Sequence, residues 1–339
     1  GADVPGLRLA TATATGLAVA ALVAGPGWYI DGRAVVLPWW RPWLTYALVL
    51  PMVLGAGLTL ERRWRDDKVA AGLLAAGVAL AAAWAFHEVR QWLPPTGDPP
   101  IQSLRGGAIL ALLWAVLGLG AAAWGKCSAR VVLRGAGEIV LTLGVVFGAL
   151  ATLVWMNPLW TPQHVGDARL WNALWLIYGL PLLAALVAVV WWRRQPATRV
   201  ASQVAGGVAL VLLFALVSLQ VRQWFAGGDL RGGVTGNAEW YAYSAAWVLL
   251  GLALVGAGIA LRSTVLRVAS LAVMLLAVGK VFLSDTAHLR DLWRVLSFAG
   301  LGVSLLAIGV LYQKFVFAKE GQSPRGQGGQ DSPSEGQGE

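Results

Sequence analysis

The residues best suited to chemistry sit near the ends of long apolar runs. In AEWYAYSAAWVLLGLAL (238–254), Glu239, Tyr243, Ser244 and Trp247 share one helical face by i, i+4 spacing. A carboxylate there could serve as a general base if paired with Arg222 beside a cavity. At a helix start it could equally cap and complement the helix dipole. A second polar group surrounds the turn after residue 280: Lys280, Asp285, Arg290, Asp291 and Arg294, with Ser297 one turn below Arg294. Ion pairing and snorkelling explain such a group, and so does a small polar pocket. A third feature is the tetrapeptide VRQW, which occurs at 89–92 and again at 221–224. Arg90 and Arg222 could each hold an anion, or could anchor at the headgroup level, with Trp92 and Trp224 as interfacial aromatics.

Other chemistries find no support in the residue pattern. His87 adjoins Glu88, and Asp285 and His288 stand at i, i+3, but no spacing is diagnostic of a metal site and HExxH is absent. There is no Walker loop, G-x-S-x-G elbow, DxD cluster or CxxCH. No catalytic residue, metal ligand set or cofactor is therefore assigned. Cys127 is the only cysteine, so an intrachain disulfide framework is excluded.

The elements that must position these residues are membrane helices. The 339 residues are 58% hydrophobic and 13% charged, with a mean hydropathy of +0.65. A soluble globule of this size cannot hide so much apolar surface. Runs of roughly 20 apolar residues mark spanning helices, and ten are predicted: 9–24, 44–60, 69–86, 107–124, 139–156, 174–192, 204–219, 240–261, 265–282 and 292–316. The runs are continuous rather than alternating, which favours helices over a barrel. Pro51 and Pro181 fall inside the second and sixth spans and are expected to kink them.

The formal charge is +9. The loops ERRWRDDK (61–68), GKCSAR (125–130), RRQPATR (193–199) and LRSTVLR (261–267), with Lys314, Lys319 and Arg325, hold more than half of the 26 basic residues. Membrane topology accounts for this charge without nucleic acid, and the positive-inside rule places these loops and both termini in the cytoplasm. Of the 19 tryptophans, 13 fall on the other, outer side. That lopsided belt includes Trp92, Trp224, Trp247 and Trp293, whose faces could contact a sugar or lipid headgroup. The tail after residue 317 is Gly-, Gln-, Ser- and Pro-rich and is expected to be disordered.

VRQW is one of several matches at nearly one offset. WAVLGL (114–119) pairs with WVLLGL (247–252), VLR (132–134) with VLR (265–267), and WLTY (43–46) with WLIY (175–178). LWNAL (170–174) also resembles LWRVL (292–296). The offset covers four spans, an even number, so the copies keep one orientation: a parallel repeat. The expected organisation is 1–68 as the end of an upstream repeat, 69–199 and 200–317 as two four-helix units, and 318–339 as a cytoplasmic tail. A half-unit at the start predicts further sequence on its N-terminal side.

The segment GKVFLSDTAHLRDLWRVLSFAGLGVSLLAIGVLYQKF (279–315), with the AEWYAYSAAWVLLGLAL run and the VRQW elements, resembles the bacterial family of polytopic membrane proteins called domain of unknown function 2339. The resemblance implies an inner-membrane protein of many helices. It implies no established activity and carries over no catalytic residue.

The expectation is a multi-pass bacterial inner-membrane protein, all-α, whose extracytoplasmic polar and Trp-rich face is the functional surface. It would bind or move a lipid or glycan component of the envelope without being an enzyme. Its partners would be membrane lipids, a lipid-linked glycan or other envelope proteins. The rivals are an outer-leaflet transferase using Glu239 or Glu88 as base, and a secondary transporter with a site between units.

Overall fold

The computed structural model describes residues 40–63, 68–93, 104–233, 235–281 and 292–312, with Thr13 and Gly16 alone before them. The predicted first span, 9–24, otherwise lies outside these residues. Among the described residues every regular element is helical, and the only strand-like pairing is an isolated antiparallel bridge between His164 and Asp229. The helices are α1 (Trp40–Arg63), α2 (Lys68–Trp92), α3 (Leu104–Cys127), α4 (Val131–Leu150), α5 (Ala173–Trp192), α6 (Arg199–Ala226), α7 (Asn237–Ala260), α8 (Thr264–Lys280) and α9 (Leu292–Tyr312). Six of them, α2 to α7, are long and apolar enough to cross a membrane. The chain forms two compact units, 1–246 and 247–339, with the boundary inside α7.

In the first unit α3 and α4 make a hairpin held backbone to backbone. A Cβ on Gly118 would lie 2.3 Å from the amide nitrogen of Leu141, and one on Gly125 2.3 Å from that of Arg134. From the other side, a Cβ on Gly137 would lie 2.3 Å from the amide nitrogen of Ala122, and one on Gly144 2.8 Å from the carbonyl oxygen of Ala111. Partner numbers fall along α4 as they rise along α3, as an antiparallel pair requires. In lipid no hydrophobic gain drives helices together, so close approach at small residues supplies the dispersion contacts instead. Side chains form the rest of the core. Tyr46, Val53 and Leu60 of α1 pack on Leu73 and Leu80 of α2, and Ala184, Ala185 and Ala188 of α5 pack on Ala205 and Ala209 of α6. Helix α3 also packs on α2 and α5.

The prolines stay within continuous helices, Pro51 in α1 and Pro181 in α5. Gly148 of α4 faces the Pro181 ring, where a Cβ would come 3.0 Å from the proline's own Cβ. Beyond Leu150, α4 widens into a π-helical turn over Ala151–Trp155. The Tyr178 hydroxyl donates to the Thr152 carbonyl there at 2.8 Å, so the buried phenol and the carbonyl satisfy each other.

Two turns share one geometry. After α3, the amide of Arg130 donates to the Gly125 carbonyl and that of Ala129 to the Lys126 carbonyl, with Ala129 left-handed at φ 56°. After α7, the amide of Ser263 donates to the Gly258 carbonyl and that of Arg262 to the Ile259 carbonyl, with Arg262 at φ 49°. Both are Schellman caps, and both hold a residue with a Cβ where glycine is favoured. Ala129→Gly and Arg262→Gly should each raise stability by about 0.5–1 kcal/mol, relief of left-handed strain outweighing the added chain entropy. Thermal unfolding of the purified protein checks this.

Helix α6 is the element that carries the site. Its 28 residues span about 42 Å at 1.5 Å per residue, more than a hydrocarbon core of about 30 Å. That length leaves room for its last turns, with Arg222, Gln223 and Trp224, beyond the bilayer interior.

Candidate functional site

Two loops of the first unit, 157–172 and 227–236, fold together over the ends of α4, α5, α6 and the start of α7. The first loop is built by local caps. Asn157 accepts from the Leu159 amide at 3.0 Å, Thr161 donates to the Met156 and Asn157 carbonyls, and Asn172 caps α5 by accepting from the Leu174 amide at 3.0 Å. The indoles of Trp160 and Trp175 donate to the carbonyls of Val154 and Leu170. These two tryptophans thus serve the loop backbone. The second loop joins the first through the His164–Asp229 bridge, in which the Val165 amide donates to the Gly228 carbonyl at 2.9 Å. A Cβ on Gly228 would lie 2.2 Å from His164 Nε2, so a side chain there would displace the imidazole from its present position. Val165 and Leu230 are buried beneath this cap among Leu212, Leu216 and Tyr178.

The second VRQW copy ties the cap down residue by residue. The Arg222 guanidinium donates from Nη1 to both Glu239 carboxylate oxygens at 2.9 Å. It also donates from Nε to the Leu230 carbonyl at 3.2 Å, from Nη1 to Thr235 Oγ1 at 3.3 Å, and from Nη2 to the Gly232 and Gly233 carbonyls at 2.7 and 3.3 Å. Tyr243 donates to Glu239 Oε1 at 3.2 Å. The side chains of Arg222 and Glu239 are only 11% and 3% exposed. This is a planar donor fork matched to a carboxylate and a ring of carbonyls. Gln223, 1% exposed, donates from Nε2 to the carbonyls of Gly166 and Ala168 at 3.1 Å. Gln220 donates to the Arg169 carbonyl at 2.8 Å, and the Arg169 guanidinium lies 5.4 Å from the Trp224 ring.

Of the residues singled out by spacing, the structure brings Arg222, Glu239 and Tyr243 together. Arg90 closes α2 with its guanidinium 5.5 Å from the Phe86 ring. Glu88 is held between two indoles, accepting from Trp84 at 2.9 Å and Trp92 at 3.1 Å. The His87 ring lies 5.6 Å from the Tyr46 ring, tilted by 31°. Lys280 ends α8 and Trp247 lies half-buried on α7, both in the second unit. Asp285 and the side chains of Trp293, Arg294 and Ser297 lie outside the described residues. Among the described residues no three His, Cys, Asp or Glu side chains form a metal-holding group. Sequence reasoning passed over Gln220 and Gln223, although Gln223 stands inside the repeated tetrapeptide and is its most buried member.

Asp229 sits outside the membrane helices. The Arg231 side chain and backbone amide hold its carboxyl below the usual carboxylate value. The folded value being the lower, this contact steadies the loop above the ordinary carboxylate range and is lost as pH falls through the lowered value. Titration of the Asp229 carboxyl carbon by NMR should give a midpoint below 3.8, and Arg231→Gln should move it up.

Beside the cap, Trp175, Leu216, Val217, Gln220, Val221, Trp224, Phe225 and Ala242 line an open groove of about 380 Å³. Its walls are apolar and aromatic. Gln220 Oε1 is a buried acceptor without a hydrogen-bond partner, while the same amide's nitrogen is committed to Arg169. The arrangement suits an amphiphile that offers a hydroxyl at the interface and chains below it.

No curated protein and no solved structure matches the chain. The family model described as predicted membrane protein, domain of unknown function 2339, matches residues 3–315. With several helices able to cross a bilayer and that match over most of its length, the chain belongs to this family of multi-pass membrane proteins.

Proposed function

We propose that this is a non-enzymatic envelope protein of the bacterial inner membrane that binds or moves a glycan-bearing lipid at its extracytoplasmic face. The groove beside the cap is the observation that carries the reading. Trp175 and Trp224 are about half exposed along it, and Gln220 Oε1 supplies an acceptor. The buried Arg222–Glu239 pair supports a binding role over acid–base chemistry, because the carboxylate already faces a guanidinium and a phenol. Ten spans in parallel four-helix repeats, with both termini in the cytoplasm, complete the proposal. Its support is the pair of matching caps 133 residues apart (262 − 129). The glycines agree: Gly251 faces Met274 and Gly258 faces Arg267, the counterparts of Gly118 against Leu141 and Gly125 against Arg134 at the same offset.

The test is binding of glucosyl diacylglycerol, compared with diacylglycerol of the same chains, to the full chain in nanodiscs. Gln220→Ala with Trp224→Ala should lower glycolipid retention at least tenfold, because one aromatic and one hydrogen-bonded contact are each worth about 1 kcal/mol. Unchanged retention in the double variant, at unchanged thermal stability, would overturn the reading.

A further inference from the structure

A second groove lies at the other end of α5, away from the cap. It runs between α3 and α5 and has a volume of about 500 Å³. Leu119, Ala123, Leu183, Leu186, Val187 and Val190 make its apolar length, and Trp191 and Arg194 close it. The Lys126 ammonium lies 5.6 Å from the centre of the Trp191 ring. Lys126 and Arg194 are exposed, and neither has a carboxylate partner among the described residues. The neighbouring cations differ in this respect. Arg130 pairs with Glu61, and Arg134 is engaged by Glu138 and Gln195. The Trp191 indole nitrogen is buried and has no hydrogen-bond partner. A buried donor in that state calls for an acceptor.

We propose that this groove holds one anionic diacyl phospholipid, its acyl chain along α3 and α5 and its phosphate between Lys126, Arg194 and the Trp191 indole. Charge decides the occupant. Among the described residues no carboxylate lines the groove and the two cations at its mouth have no counter-ion of their own, so a phosphate without a compensating ammonium fits best. Basic pockets between membrane helices select anionic headgroups in this way. The site is independent of the aromatic groove beside the cap and survives if that reading fails.

The test uses the full chain in nanodiscs made with equal amounts of phosphatidylglycerol and phosphatidylcholine, followed by native mass spectrometry of the retained lipid. The expected result is one retained phosphatidylglycerol, favoured about tenfold over phosphatidylcholine, the equivalent of about 1.4 kcal/mol. Lys126→Gln with Arg194→Gln should bring the preference close to unity. Leu186→Trp, which fills the groove and leaves the charges, should reduce retention of the lipid itself. Arg62→Gln with Arg63→Gln, at the basic end of α1, should change nothing. Equal retention of both lipids by the unaltered protein would overturn the proposal. So would a preference that persists in the Lys126/Arg194 variant, or one lost equally in the Arg62/Arg63 variant.

Discussion

Gly137→Val is expected to abolish the folded first unit. The new Cβ would stand 2.3 Å from the Ala122 amide nitrogen and 2.6 Å from the Gly118 carbonyl oxygen. No side chain there can rotate away, because both obstacles are backbone. The helices must separate, and separation removes the matching approaches at Gly118, Gly125 and Gly144 together. Overpacking in a core that can relax costs about 1–3 kcal/mol. Here relaxation is blocked, so about 3 kcal/mol or more is expected, a large share of a typical stability of about 5–15 kcal/mol. In detergent the variant should lose its monodisperse peak in size-exclusion chromatography and its cooperative thermal transition. Gly120→Ala is the control. Nothing lies within 4 Å of a Cβ at Gly120, and alanine should stabilise the helix by about 0.5–1 kcal/mol. Equal behaviour of the two variants would refute the backbone-to-backbone account.

Arg222→Met is the second large effect. It leaves the Glu239 carboxylate buried with the Tyr243 hydroxyl as its remaining hydrogen-bond donor among the described residues, and it strips donors from the Leu230, Gly232 and Gly233 carbonyls. Removing one partner of a buried pair costs about 3–5 kcal/mol. Glu239→Gln keeps a carbonyl acceptor and should cost less, about 1–2 kcal/mol, on the scale of one charge-assisted hydrogen bond. A cycle with Arg222→Met/Glu239→Leu should recover part of the loss, since that change removes both buried charges. Hydrogen exchange would locate the damage, with faster exchange at Leu230, Val165 and the amides of 227–236. An Arg222 that held an external anion would behave otherwise: its loss would leave loop exchange unchanged.

Much of this arrangement can be read from the chain alone. Apolar runs locate α1 to α9 because lipid demands that each segment satisfy its own backbone hydrogen bonds. Errors fall at the helix ends. The run 204–219 underestimates α6, which continues through polar Gln220, Arg222 and Gln223. Hydropathy stops where the bilayer stops, but helix hydrogen bonding does not. The VRQW motif and the i, i+4 face of α7 point to Arg222, Glu239 and Tyr243 without showing that they meet. That meeting depends on the turn 227–236, which positions Glu239 17 residues after Arg222 (239 − 222). The docking of 157–172 on 227–236 was not legible, because it runs through backbone carbonyls that any sequence possesses. The glycine hairpin left a partial trace: Gly118 and Gly125, like Gly137 and Gly144, recur every seven residues.

The two arginines that bracket α6 define a span that can be compared with the thickness of a membrane. Arg199 opens the helix and Arg222 lies 23 residues later (222 − 199), about 35 Å along the axis. A hydrocarbon slab of about 30 Å fits between them with little mismatch. Arg222 is fastened to its loop and cannot snorkel to correct an error. Shorter-chain lipids would therefore leave α6 too long, and the helix would lean rather than expose its apolar ends to water. Such a lean would carry the whole docked cap with it. The protein should consequently sense acyl-chain length, and reconstitution across a series of lipid chain lengths should show one preferred thickness.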